Sequence, residues 1–173
     1  MIRLAYTLGF ALIFVLSGCD TRYKNQLYNG LFALTVPDYL EATSELNGDA
    51  PVQLASKEKE VYILIRYNSW EELRNNSRGT AGTLEDYYDF HIENLLIDVH
   101  NPQAPGPKPL KINGLEALEG FFSGTFKGEN LYYKLVMIAG KNHLYQLIIW
   151  TTEKNRTKYE PDIEKIIASF REM

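Results

Sequence analysis

The apolar positions of this 173-residue chain change period along its length, and each change predicts an element. Leu31 to Val36, apolar at all but one position, reads as a first strand that stops at Pro37, whose fixed φ and missing N–H suit a strand end. A turn-rich piece with Asn47-Gly48-Asp49 follows, then a short strand over Pro51–Ala55 and a stronger one over Val61–Tyr67. In the latter, Val61, Ile63 and Ile65 share one face, and Tyr62 and Leu64 the other. A strand that is apolar on both faces belongs to a sheet covered on both sides.

From Thr83 to Val99 the period becomes helical. Leu84, Tyr88, Ile92, Leu95 and Val99 form one stripe, while Glu85, Asp86, Asp89 and Glu93 trace the opposite, solvated face. Thr83 and Asp86 have capping-box spacing, which answers free N–H groups at the helix start. Asn101–Pro109, "NPQAPGPKP", holds four of the seven prolines and reads as an extended connection across the domain. Asn113-Gly114 is a hairpin signal, because both residues tolerate positive φ. It joins Leu110–Ile112 to an antiparallel meander of Leu115–Phe126, Asn130–Ala139 and His143–Thr151. Gly120 and Gly124 in the first long strand mark a bulge or a close helix contact. The chain ends in a helix with Ile163, Ile166, Ile167 and Phe170 on one stripe, starting either at a Thr157–Glu160 capping box, which leaves Pro161 in the first turn, or with Pro161 itself as the first helical residue. The expected fold is α+β: an antiparallel sheet with helices on both faces, an α/β/α sandwich.

Composition narrows the partners. With 45% apolar and 23% charged residues the chain is globular, and a net charge of −4 lacks the basic excess that drives phosphate affinity, so nucleic acid is not an expected partner. Arg3, the apolar run Leu4–Leu16 and Ser17-Gly18 have the order of a secretory signal. At 1.5 Å per residue the run reaches roughly 20 Å, short of a bilayer's hydrocarbon core.

Leu16-Ser17-Gly18-Cys19 resembles the lipobox of bacterial lipoproteins. The resemblance implies a signal peptide over 1–18, cleavage before Cys19, a diacylglyceryl thioether on that cysteine with a further acyl chain such as palmitate on the new amine, and a cell-envelope location. Two or more chains on one residue give stable membrane attachment. Asp20 resembles the enterobacterial signal for inner-membrane retention, but other bacteria need not read it so; the address is the inner or outer membrane, with the domain in the periplasm. Residues 19–29 then form the lipidated N-terminus and tether, and 30–173 the globular domain. Cys19 is the only cysteine, so lipidation removes it from disulfide, metal or nucleophile chemistry.

"FALTVPDYL" (Phe32–Leu40), "INGLEALEG" (Ile112–Gly120) and "IEKIIASF" (Ile163–Phe170), in this order of elements, resemble the PsbP-like fold of a photosystem II extrinsic subunit and of bacterial lipoproteins. The resemblance implies non-enzymatic work, such as holding a partner or assisting assembly, and brings no catalytic, cofactor or metal residues with it.

The residues themselves name no reaction. His91, His100 and His143 lack zinc-ligand spacing, Ser123 in "FFSGTF" is not on a nucleophile elbow, and no phosphate loop is present. His91 falls on the apolar side of its helix and reads as a core-edge histidine. The polar segment Asn68–Gly82 carries Trp70 and Arg74, residue types enriched at binding hot spots, and these two are the candidate partner contacts; the competing reading has the tryptophan covering a sheet edge. The function expected is a lipid-anchored, non-catalytic envelope protein that binds or helps assemble another envelope component. A small-ligand carrier, or a small enzyme whose site is assembled only in three dimensions, is the alternative.

Overall fold

The computed structural model describes residues 21–75 and 82–173. Residues 1–18, expected to form a signal peptide, lie outside the described residues together with Cys19 and Asp20, as do residues 76–81 of the Asn68–Gly82 segment. Two antiparallel sheets are present among the described residues. The smaller has the order β1-β2-β11, from Tyr23–Tyr28, Phe32–Pro37 and Arg171–Glu172. The larger runs β3-β4-β5-β10-β9-β8-β6, with β7 also paired to β8. Its strands are Glu41–Ala42 (β3), Val52–Ser56 (β4), Val61–Ser69 (β5), His100–Gln103 (β6), Lys108–Ile112 (β7), Leu115–Phe126 (β8), Glu129–Ala139 (β9) and His143–Thr152 (β10).

Helices cover both faces of the large sheet, as a strand apolar on both sides demands. On one face α3 (Arg156–Ala168) and the small sheet enclose Phe32, Leu34, Ile63, Ile65, Val136, Leu147, Ile163, Ile167 and Phe170. On the other, α1 (Trp70–Asn75) and α2 (Leu84–Leu96) cover Leu64, Leu118, Leu135, Met137 and Ile148. The Thr83 capping box forms, its two hydrogen bonds both at 3.1 Å. Asn113 and Gly114 take φ of 49° and 88°, the positive pair a type I′ turn requires. Gly120 is a close helix contact, since a β-carbon there would overlap the Tyr88 hydroxyl of α2, whereas Gly124 approaches the chain beyond that helix, where a β-carbon would overlap Val99.

Four expectations are corrected. Residues 23–28, expected within the tether, form β1 on the edge of the small sheet, held in register from Tyr23 opposite Pro37 to Tyr28 opposite Phe32. Tyr23 and Tyr39 both donate hydroxyl hydrogen bonds to the buried Asp162 carboxylate of α3, at 2.5 and 2.7 Å, which fastens this strand to the domain. Helix α2 ends at Leu96 rather than Val99, because Pro102 bars helical geometry at Asn101 and β6 pairs from His100 onward. The proline-rich connection is partly strand, with β6 and β7 at its ends. Helix α3 starts at Arg156, with Pro161 inside it and no capping box at Thr157.

Candidate functional site

A cleft of about 550 Å³ opens on the α3 face at the outer edge of β8. Its walls are the 105–110 segment on one side and the first turns of α3 on the other. Phe121 and Glu119 of β8 and Tyr132 and Lys134 of β9 line it, as strand alternation requires of residues that share a face. Leu110, Pro105 and Pro109 add apolar surface.

Lys134 is 7% exposed, and its ammonium donates to the Glu119 carboxylate and, at 2.5 Å, to that of Glu164 on α3. Burial alone would lower its pKa; the two carboxylates outweigh burial and hold the proton above the ordinary lysine range. The Arg156 guanidinium lies 4.2 Å from the Tyr132 ring centre and 5.3 Å from that of Phe121, a cation–π arrangement. It also sits 3.5 Å from Glu153 and 3.8 Å from Glu160. Tyr132 donates to Glu160 at 3.2 Å, and its own pKa is pushed up to about 12, chiefly by burial. Lys134 and Arg156 therefore already have carboxylate partners, and the surface left to a visitor is ring, proline and the exposed Lys108.

Trp70 and Arg74 are not in this cleft. Trp70 is half-buried against the α2 face; its indole N–H donates to the Gly140 carbonyl at 2.9 Å and its ring lies 6.2 Å from that of Tyr87. That placement sets the tryptophan over the α2 face at the β9–β10 turn, beside interior strands and away from either edge of the large sheet. Arg74 is exposed in the last turn of α1, so the start of the polar segment is strand and helix rather than loop. His91 is half-buried between α2 and the sheet, where burial first and Arg66 second lower its pKa to about 4. Among the described residues no group of three or more His, Cys, Asp and Glu side chains could hold a metal, and no helix is long and apolar enough to cross a membrane.

The cleft residues escaped the pattern reading, but a signal for them is present. Lys134 interrupts the apolar strand "LYYKLVMIA", and Glu119 sits in the paired strand on the same face. A charge in the middle of a strand that is buried on both sides needs a partner across the sheet.

No family model matches the chain, and no curated protein matches it. Solved structures do. Cyanobacterial PsbP (CyanoP) from Synechocystis sp. PCC 6803 superposes with a TM-score of 0.64 at 9% identity, over 91% of this chain and 96% of that one. The Saccharomyces cerevisiae Ran-binding protein Mog1p gives 0.59 at 12% identity, over 88% and 96%. LpqN of Mycobacterium tuberculosis, described as involved in cell envelope biogenesis, gives 0.57 at 13%, over 88% and 91%. The chain thus has a PsbP/Mog1-like α+β fold, and at these identities the likeness carries the fold alone.

Proposed function

We propose that this protein is a lipid-anchored, non-catalytic component of a bacterial envelope that holds or helps assemble another envelope component, with the β8–α3 cleft as its holding site. The observation that carries the reading is the state of the charged groups in the cleft. Lys134 is clasped by two carboxylates, and Arg156 lies on two rings beside two more. Groups paired in this way fix shape and do not offer a poised acid, base or nucleophile. Fold neighbours whose descriptions name Ran binding and cell envelope biogenesis are compatible with a binding role. The "LSGC" sequence supports the anchor, and β1 starting at Tyr23 leaves three residues, 20–22, between Cys19 and the domain. The domain then rides close to the lipid surface.

The cleft volume also lies within the range of small-molecule pockets, which favours the ligand-carrier reading second. Fractionation of the host expressing wild type or Cys19→Ser, with crosslinked partners recovered from each, tests the leading reading. Wild type is expected in the membrane fraction with a protein partner, and Cys19→Ser in the soluble periplasmic fraction. A Cys19→Ser protein that still sediments with membranes overturns the anchor, and a cleft that retains a metabolite and no protein overturns the partner.

A further inference from the structure

The small sheet turns one of its faces away from the core. Phe32, Leu34 and Val36 of β2 point into the α3-side core, so strand alternation turns Ala33, Thr35 and Pro37 the other way. Paired residues share a face, which sets Leu27 and Arg171 beside Ala33, Asn25 beside Thr35 and Tyr23 beside Pro37. Side-chain contacts agree: the Thr35 hydroxyl donates to the Asn25 amide oxygen at 2.5 Å, while Glu172, the neighbour of Arg171, turns inward and accepts from the Tyr145 hydroxyl at 3.1 Å. Leu27 is 60% exposed on the outward face. Lys165 of α3 reaches over it, with its ammonium 3.4 Å from the centre of the Tyr23 ring. Lys165 and Arg171 are both exposed and have no carboxylate partner among the described residues. The acids nearby are engaged elsewhere. Glu164 is turned to Lys134, and Asp162 is buried and accepts from Tyr23 and Tyr39. At the start of β1, Asp38 stands opposite Arg22, so that pair adds no net charge.

We propose that this outward face of the small sheet lies on an anionic phospholipid surface, which holds the anchored domain against the membrane in one orientation. The proposal rests on the lipid anchor above and says which side of the domain the lipid meets. Cys19 stands four residues before Tyr23, so even a fully extended chain puts the acylated residue at most about 14 Å from the start of β1. Exposed apolar side chains occur on the α2 side of the large sheet too, at Phe90 and Ile97. The short tether decides between the two places. The α2 side is two packed layers away from the small sheet, about 20 Å, and beyond that reach. Leu27 then enters the headgroup layer while Lys165 and Arg171 meet phosphates, the combination of apolar contact and basic charge that holds proteins on anionic bilayers. The β8–α3 cleft opens on the same side of the large sheet as the small sheet, so the component it holds is met at the lipid surface.

The test uses full-length, host-acylated protein reconstituted in vesicles of phosphatidylethanolamine with about one quarter phosphatidylglycerol. A cysteine introduced by Asn25→Cys, or by Phe90→Cys for comparison, carries a fluorescent label, the Cys19 thiol being acylated. The label at position 25 is expected to be quenched by a nitroxide on the lipid headgroup and shielded from aqueous acrylamide, and the label at 90 to show the reverse. Lys165→Glu combined with Arg171→Glu, at an unchanged melting temperature, should lower headgroup quenching at 25 about threefold while the protein still floats with the vesicles. Vesicles of phosphatidylcholine alone should have the same effect on the chain with both cations in place, which separates charge from any change in the fold. Quenching at 90 equal to or stronger than that at 25, in protein that floats, overturns this face and leaves the anchor standing. Quenching at 25 that survives either change overturns the anionic surface. Protein that does not float overturns the anchor and the face together.

Discussion

Lys134 of β9 and Glu164 of α3 meet at 2.5 Å, so the buried charge of the sheet also bolts the C-terminal helix to it, with Glu119 of β8 as the third member. Removing one partner of such a cluster strands the others. Lys134→Ala should cost about 3 kcal/mol, because Glu119 loses the counter-charge that offsets its desolvation. Lys134→Met combined with Glu119→Leu should recover most of that loss. Urea unfolding of the three proteins decides: a single variant as stable as wild type would mean the cluster is solvated and not a bolt.

The Gly120–Tyr88 contact makes a different kind of prediction, steric rather than electrostatic. Gly120→Ala places a methyl group where the Tyr88 hydroxyl already lies, and overpacking of this kind costs about 1–3 kcal/mol. Tyr88→Phe withdraws the oxygen, so the double variant should lose less than the two single losses added together. Strict additivity in thermal unfolding would show that α2 simply shifts to make room.

His91 sets the acid side of the stability profile. Its pKa is about 4 in the folded chain against 6.5 for an unperturbed histidine, so between these values the unfolded state binds a proton that the folded state does not. Its contribution to stability is complete above pH 6.5 and is lost as pH falls toward 4, at most about 3 kcal/mol and less for a half-buried ring. His91→Gln should flatten the profile in that window. Chemical denaturation at pH 7 and pH 5 checks it, and an unchanged difference between the two would place the sensitivity elsewhere.

Much of the sheet was legible because its apolar residues alternate or run continuously between strong turns. Asn113-Gly114 and the Lys127-Gly128 turn punctuate it, and the Leu84, Tyr88, Ile92 and Leu95 part of the helical stripe matches the face that α2 buries. What escaped was whatever depends on partners distant in sequence. β1 carries three consecutive polar residues, Lys24 to Gln26, and looks like a tether until Tyr23 finds Asp162, 139 residues away. The helix-compatible pattern through Val99 was ended by Pro102 and by pairing of β6 with β8. The cleft joins β7, β8, β9 and α3, and nothing in the local pattern around Phe121 says that Arg156 of α3 lies over its ring.

Capture from the host's membranes tests the central claim, that the tethered domain holds a protein through the β8–α3 cleft. Full-length wild type and the cleft-filling variant Leu110→Trp, matched for melting temperature and membrane fraction, are crosslinked in their own host, and the recovered proteins are quantified. A defined partner present with wild type and depleted about tenfold or more with Leu110→Trp is the expected result. An identical set recovered with both proteins would contradict it.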